Sequence, residues 1–375
     1  MSKPASLVNT YDHYHVTVRV LTPMHIGNGR LLLNEHDYTF REGRTWRINE
    51  TALLDDEAHF QLEQALRSVA VPPAQLLKKE DYVEGSPFMR YVMRGAPRSV
   101  APGAQLREQI KTTLTDEPYL PGTAVKGALR TALAWHGWET ERLRPAVTEL
   151  NRRREFAAQR YEQQLFGPNP NRDLLRALLV GDSQPAPRTQ LMVANISVMT
   201  GGGKPGSPIE VEAIRPETAF KLDVKIDRAL FSDWARRQGL QLKHEDWLTE
   251  LVQITHAHAQ SRIAAELAWC ERARNCEGPA GAYRQLKDAA TQARPNQCLV
   301  QLGWGTGWGS KTFGERLQVD GDFMERILSD YRMARGHRQA GDRFPKSRRL
   351  VMKANPPDAP SMPMGWAWLT FKKSG

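Results

Sequence analysis

PYLPGTAVKGALRTALAWHGW, residues 118–138, places a turn, a helix start and an apolar helix in one stretch. Pro121-Gly122 marks the turn. Thr123 is the expected N-cap, its hydroxyl accepting one of the amides that a first helical turn leaves free. Ala124, Ala128, Leu129, Ala132 and Leu133 then recur at three-to-four-residue spacing as an apolar stripe. Lys126 and Arg130 stand four apart and share a face. Free amides with two cations beside them make an anion site, most naturally for phosphate. An amphipathic helix with a solvated basic face is the competing reading.

Two glycine-rich stretches flank this helix at a distance. HVTVRVL (His15 to Leu21) alternates as a strand with Val16, Val18 and Val20 on one face, and it runs into Thr22-Pro23-Met24-His25-Ile26-Gly27-Asn28-Gly29. Gly27 and Gly29 allow positive φ and a close approach of backbone to ligand. Near the other end, the apolar strand Cys298 to Gly303 leads into GWGTGWGSKT, residues 303–312. Its alternate glycines free amides for phosphates, Lys311 adds charge, and Trp304 and Trp308 offer faces to unpaired bases. Counted from Gly305, the stretch nearly matches a P-loop. Ser310 stands where the second glycine belongs, and FGERLQVDGD supplies no apolar helix after it, so an NTPase is disfavoured.

PGTAVKGALRTAL resembles the P-G-S-S-h-K-G-h-h-R motif of the RAMP proteins, the RNA-binding subunits of CRISPR–Cas effector complexes. LTPMHIGNG and GWGTGWGSKTFG agree with it. The order of the three stretches and the chain length resemble the type III-A (Csm) subunits that cap the 3′ end of the guide RNA. The resemblance implies an α+β fold of two ferredoxin-like (RRM-like) domains, residues 1–180 and 181–375, with helical insertions and glycine-rich loops. It implies a noncatalytic, cytoplasmic subunit that binds the 3′ portion of the crRNA and takes part in guide maturation and antiviral defence. Its partners would be the other Csm subunits, above all the backbone RAMP subunit, and a cellular trimming nuclease that it could recruit. No cofactor or metal is implied. The expected RNA-binding residues are His25, Gly27, Asn28, Gly29, Lys126, Arg130, Gly305, Gly307, Trp308, Gly309 and Lys311. They would clamp phosphates and stack bases while reading little sequence.

Two alternatives stay open. One is a guide-processing endoribonuclease of the same superfamily with His25 as acid or base, although such nucleases generally lack the PG-x-x-x-KGALR helix. The other is a RAMP subunit of a type III-B complex. Related backbone subunits cut target RNA with an Asp placed like Asp37. Here its surroundings, NEHDYTF, lack the small flexible residues usual there, and Asp37 is read as structural or orienting.

Asp37–Arg41 and Thr45–Ile48 form an expected hairpin. Residues 51–70 read as a helix packing through Leu53, Leu54, Phe60, Leu62 and Leu66, with Asp55, Asp56 and Glu57 favouring its dipole rather than a metal. Residues 74–117 are poorly patterned and read as an insertion. Arg152, Arg153, Arg154 and Arg160 lie in a charged piece that either faces RNA or forms a solvated helix. Gly167-Pro168-Asn169-Pro170 and the Val180–Ser183 step mark the expected boundary.

The second half opens with strands at 189–198, 208–214 and 218–227. Gly201-Gly202-Gly203-Lys204 lies between the first two as a flexible loop, either facing RNA or merely on the surface. A long helix over 244–270 carries His256 and His258 on different faces, unsuited to a shared metal. Cys270, Cys276 and Cys298 lack paired zinc spacing, and an odd count argues against a disulfide framework. A helix from Asp322 precedes a basic stretch (Arg338, Arg343, Lys346, Arg348, Arg349, Lys353) and a last strand at 366–371.

Lys and Arg outnumber Asp and Glu by 52 to 42, a formal charge of +10 that favours a polyanionic partner. No apolar run is long enough to span a bilayer, and MSKPASLVNTYDHYH carries no apolar signal core.

Overall fold

The computed structural model describes residues 10–56, 71–333, 344–354 and 359–374. Most of the helix expected at 51–70, with Phe60, Leu62 and Leu66, lies outside these residues, as do Arg338 and Arg343. Within the described part, a six-residue helix, Glu50–Asp55, ends at an extended Asp56 and buries Leu53.

The protein is α+β. Its first sheet holds β1 (Tyr11–Val20), β7 (Leu178–Val180), β10 (Ala219–Asp227), β11 (Gln297–Gln301) and β14 (Trp366–Lys373), in the order β11-β14-β1-β10-β7. The alternation read at 15–21 is real: Val16, Val18 and Val20 are buried, and the residues between them are exposed. The second sheet runs β2 (Gly27–Leu33), β6 (Gln105–Gln109), β9 (Pro205–Ile214), β8 (Leu191–Thr200), β5 (Met89–Arg94), β4 (Arg44–Ile48), β3 (Tyr38–Arg41). On β8 it also carries β12 (Ser347–Met352), which pairs with β13 (Pro360–Met362).

Two expectations change here. Residues 74–117 are no insertion, because they supply β5 and β6, each joined in parallel to the β8–β9 hairpin. MRYVMR alternates cleanly but is short, and QLREQ has one aliphatic residue, so neither stood out. The division at residue 180 does not separate the sheets. β1 is hydrogen-bonded to β10 and β14, and β5 and β6 to β8 and β9, so both sheets mix strands from either side of it.

The longer helices are α1 (Gly122–Thr140), α2 (Gln159–Phe166), α3 (Leu251–Arg272), α4 (Glu277–Thr291) and α5 (Gly321–Asp330). α1 packs Val125, Leu129 and Leu133 into the main core against the valines of β1 and Leu222 and Val224 of β10. α3 and α4 cover part of the opposite face, enclosing Trp366, Trp368 and Leu299. The outer face of β1 and β10 carries His13, His15, Lys221 and Asp223, of which all but half-buried His13 are exposed. The expected triple-glycine loop is a hairpin tip docked on the α3–α4 turn: Arg274 N–H donates to Gly201 O at 3.1 Å, and Asn275 Nδ2 to Gly203 O at 3.2 Å.

Candidate functional site

The start of α1 is built differently from the expectation. Thr123 is exposed and caps nothing; Pro121 occupies the N-cap, and the Gly122 amide donates 2.7 Å to Asp182 Oδ1. An anion therefore does sit at this helix start, but it is the chain's own carboxylate. Gly122 is required there, since a Cβ would lie 2.2 Å from the Val180 carbonyl oxygen. Lys126 turns inward and donates to Leu175 O at 2.8 Å, and burial lowers its pKa. Arg130 reaches Glu162 at 3.0 Å and Asp173 at 3.3 Å, with its guanidinium 4.3 Å from the Phe166 ring centroid. Both cations tie α1 to its neighbours.

The exposed side of α1, along Thr123 and Gly127, forms one wall of a cleft of about 710 Å³. Arg130, Arg154, Trp308 and Lys311 also line it. Lys311 is exposed at this wall, and no acidic partner for it is found among the described residues. The protein around its ammonium still holds the pKa below the ordinary lysine range by desolvation. A cation in that condition favours an incoming anion. Arg152, Arg153 and Arg154 extend exposed from the neighbouring segment, also without carboxylate partners among the described residues. Trp308 is not an open stacking face: it is half-buried, covers Gly314 and meets Phe344 edge-on at 5.0 Å.

The two glycine-rich stretches, far apart in sequence, meet. The Trp304 amide donates to the His25 carbonyl at 2.7 Å. Gly303 has φ +86°, and a Cβ on it would stand 2.3 Å from that carbonyl oxygen. His25 is buried; its Nδ1–H donates to Glu212 O at 2.7 Å, and desolvation lowers its pKa to about 4. Beneath it, fully buried Glu212 accepts from Lys111 at 2.6 Å and from the Tyr91 hydroxyl at 2.7 Å. Asn28 donates to Glu108 at 2.8 Å, whereas Gly27 and Gly29 are exposed at the rim.

Gly305 and Gly307 take positive φ, +85° and +89°. Gly309 lies against the buried Arg262 guanidinium, which pairs with Glu266. The Asp37 carboxylate accepts from Leu33 N at 2.9 Å and pairs with Arg30 and Arg47, contacts that suit an orienting part.

Sequence reading missed the cations over Trp304. Arg107 and Arg349, both exposed, lie over its ring at 5.3 and 5.0 Å. Arg107 sat in the stretch taken for an insertion, and no local pattern couples it to a tryptophan near the other end. An indole with two guanidiniums beside it is a surface suited to a base and its phosphate.

The two glycine-rich loops meet beside an antiparallel sheet and a mixed one, and the profile of the RAMP superfamily matches residues 17–310: the chain belongs to that superfamily. It is similar to the proteins named CRISPR system Cms protein Csm5 of Mycobacterium tuberculosis strains CDC 1551 and H37Rv, at 26% identity over 224 residues. That match covers 56% of this chain and 52% of theirs, so the chain spans about half the length of these relatives. In fold it is similar to a chain of a type III-A Csm–crRNA–target RNA ternary complex, with TM-score 0.68, 24% identity, and 96% and 100% of the two chains covered. It is also similar in fold to Csm5 of T. onnurineus, with TM-score 0.63, 22% identity, and 94% and 99% covered.

Proposed function

We propose that this chain is a noncatalytic RNA-binding subunit of a type III-A complex, one that holds the 3′ portion of the guide RNA and caps the filament of backbone subunits. The observation that carries the reading is Lys311, exposed in a cleft that Arg130 and Arg154 also line, with no carboxylate partner among the described residues and with exposed Arg152 and Arg153 adjoining Arg154 in the chain. Phosphates would enter at Lys311 and the arginines, while a base would stack on the Trp304 surface between Arg107 and Arg349. The exposed glycines 27 and 29 and the positive-φ glycines 305 and 307 would let the backbone approach. Lys126 and Arg130 then serve mainly to fix α1, and Gly309 to seat the loop. The similarity to Csm5 proteins supports the partners: guide RNA and the neighbouring Csm subunits.

The nuclease reading is weakened by the same geometry. A general base needs an exposed ring nitrogen near a labile proton; His25 is buried, with Nδ1 committed to a carbonyl.

The test is co-purification of the tagged chain with guide RNA and subunits, followed by binding of single-stranded RNA to the pure chain. We expect sequence-tolerant binding, weakened in an Arg153→Ala/Lys311→Ala variant of unchanged melting temperature, and no cleavage. Cleavage that disappears in His25→Ala, with RNA binding and folding intact, would establish the nuclease instead.

A further inference from the structure

We propose a transition-metal site on the outer face of the first sheet, formed by His13, His15 and Asp223 and suited to Zn²⁺. His13 and His15 are two apart on β1 and so project to the same face, away from the valine core. Asp223 lies directly opposite His15 in the register of β1 with β10. Its Oδ1 is 3.1 Å from His13 Nε2 and 2.7 Å from His15 Nδ1, and the ligand atoms of all three residues lie within 4.8 Å of one another. Strand pairing has thus gathered the donors without any dedicated loop. Ser374 Oγ lies 3.3 Å from His13 Nδ1, the kind of outer contact that fixes an imidazole with Nε2 toward a metal.

The donor set selects the ion. Two imidazoles and one carboxylate suit Zn²⁺, Ni²⁺ or Cu²⁺ and give Mg²⁺ or Ca²⁺ only one hard oxygen ligand. Lys225 faces His13 across the β1–β10 pair, and Lys372 faces His15 across the β1–β14 pair. Both are exposed, and they oppose any cation held by charge alone. Retention therefore has to come from imidazole coordination. Three protein ligands leave the outward position for water, an anion or a donor from a neighbouring subunit. The site is remote in sequence and sheet face from the proposed RNA cleft, so its test does not depend on that reading.

The experiment is calorimetric titration of the metal-stripped full chain with ZnCl₂ at pH 7.5, with MgCl₂ as the contrasting ion. We expect one saturable Zn²⁺ site, no Mg²⁺ binding, and a raised melting temperature with Zn²⁺. His15→Ala and Asp223→Asn should each weaken Zn²⁺ binding about tenfold or more, with unchanged circular dichroism. No saturable binding, or binding unchanged by both substitutions in folded protein, would overturn the site.

Discussion

The Trp304 amide and the His25 carbonyl, 2.7 Å apart, join the two glycine-rich stretches into one structural unit. Gly303 is what allows the approach. Its φ is +86°, and any Cβ would press on the His25 carbonyl. Gly307 shares the sign of φ, +89°, but has open space around it. Gly303→Val should therefore destabilise the chain more than Gly307→Val, whose cost is backbone strain alone, about 1–3 kcal/mol. Urea denaturation of both variants checks the order. RNA affinity measured on the same samples shows whether Gly307→Val also weakens binding.

At the start of α1, Asp182→Ala should cost about 0.5–2 kcal/mol, because the cap is its carboxylate. Thr123→Ala should cost almost nothing. Equal losses in thermal or chemical unfolding would contradict the capping arrangement described above.

Lys311→Ala and Arg130→Ala should separate binding from folding. Losing Lys311 should leave stability unchanged while lowering the slope of log affinity against log salt by about 0.7 for single-stranded RNA. Losing Arg130 removes two partly exposed ion pairs and its contact with Phe166, and should cost on the order of 1 kcal/mol of stability. For the unsubstituted chain, about five phosphate contacts predict a more than tenfold affinity loss from 50 to 200 mM salt. A flat titration would refute the electrostatic account.

Acid should destabilise the fold through its buried histidines. The folded pKa of His25 is lowered to about 4, below the ordinary 6.5 that the unfolded chain regains. The unfolded state thus binds the extra proton. The neutral ring's contribution is fully present above pH 6.5 and is lost as pH falls toward 4. His25→Gln should flatten stability against pH in that window by about 1.4 kcal/mol per pH unit. His258, lowered to about 3, sustains a remaining slope in the variant. Denaturation midpoints from pH 7.5 to 4 read this directly.

If Asp37 only orients Arg47 and the β2–β3 turn, Asp37→Ala should lower the melting temperature without changing RNA cutting by an assembled complex. Cutting lost at full assembly would give Asp37 a catalytic part.

Much of the fold was legible where one face is buried and the other wet. β1, the β3–β4 hairpin, β8 to β10 and α1 all announce themselves by periodicity. What escaped depended on partners distant in sequence. Thr123 looked like a cap because the true cap, Asp182, follows some sixty residues later. The triple-glycine loop looked free because Arg274 and Asn275, which hold it, give no local sign. The C-terminal glycine-rich stretch touches both of the others, meeting His25 through Trp304 and sharing a cleft with α1, yet the sequence could not tell the two tryptophans apart. Both are half-buried, Trp308 against Phe344 and Trp304 on the core around Met364, and it is Trp304 that carries the guanidiniums. Charge counting had the same limit: Lys126 and Arg130 look identical to solvent-facing cations until Leu175, Glu162 and Asp173 are seen around them.

The place of β1 between β10 and β14 also sets an order of events during synthesis. β1 leaves the ribosome with Val16, Val18 and Val20 ready for burial, but one neighbour follows some two hundred residues later and the other near residue 370. Until then both of its edges are open templates for other chains. Closing such distant pairings is slow, and the first sheet is completed only after β14 has emerged. The nascent chain must be kept from pairing with its neighbours for that interval. Folding beside an already assembled partner, or under a chaperone, would shorten the exposure more effectively than any substitution within β1 itself.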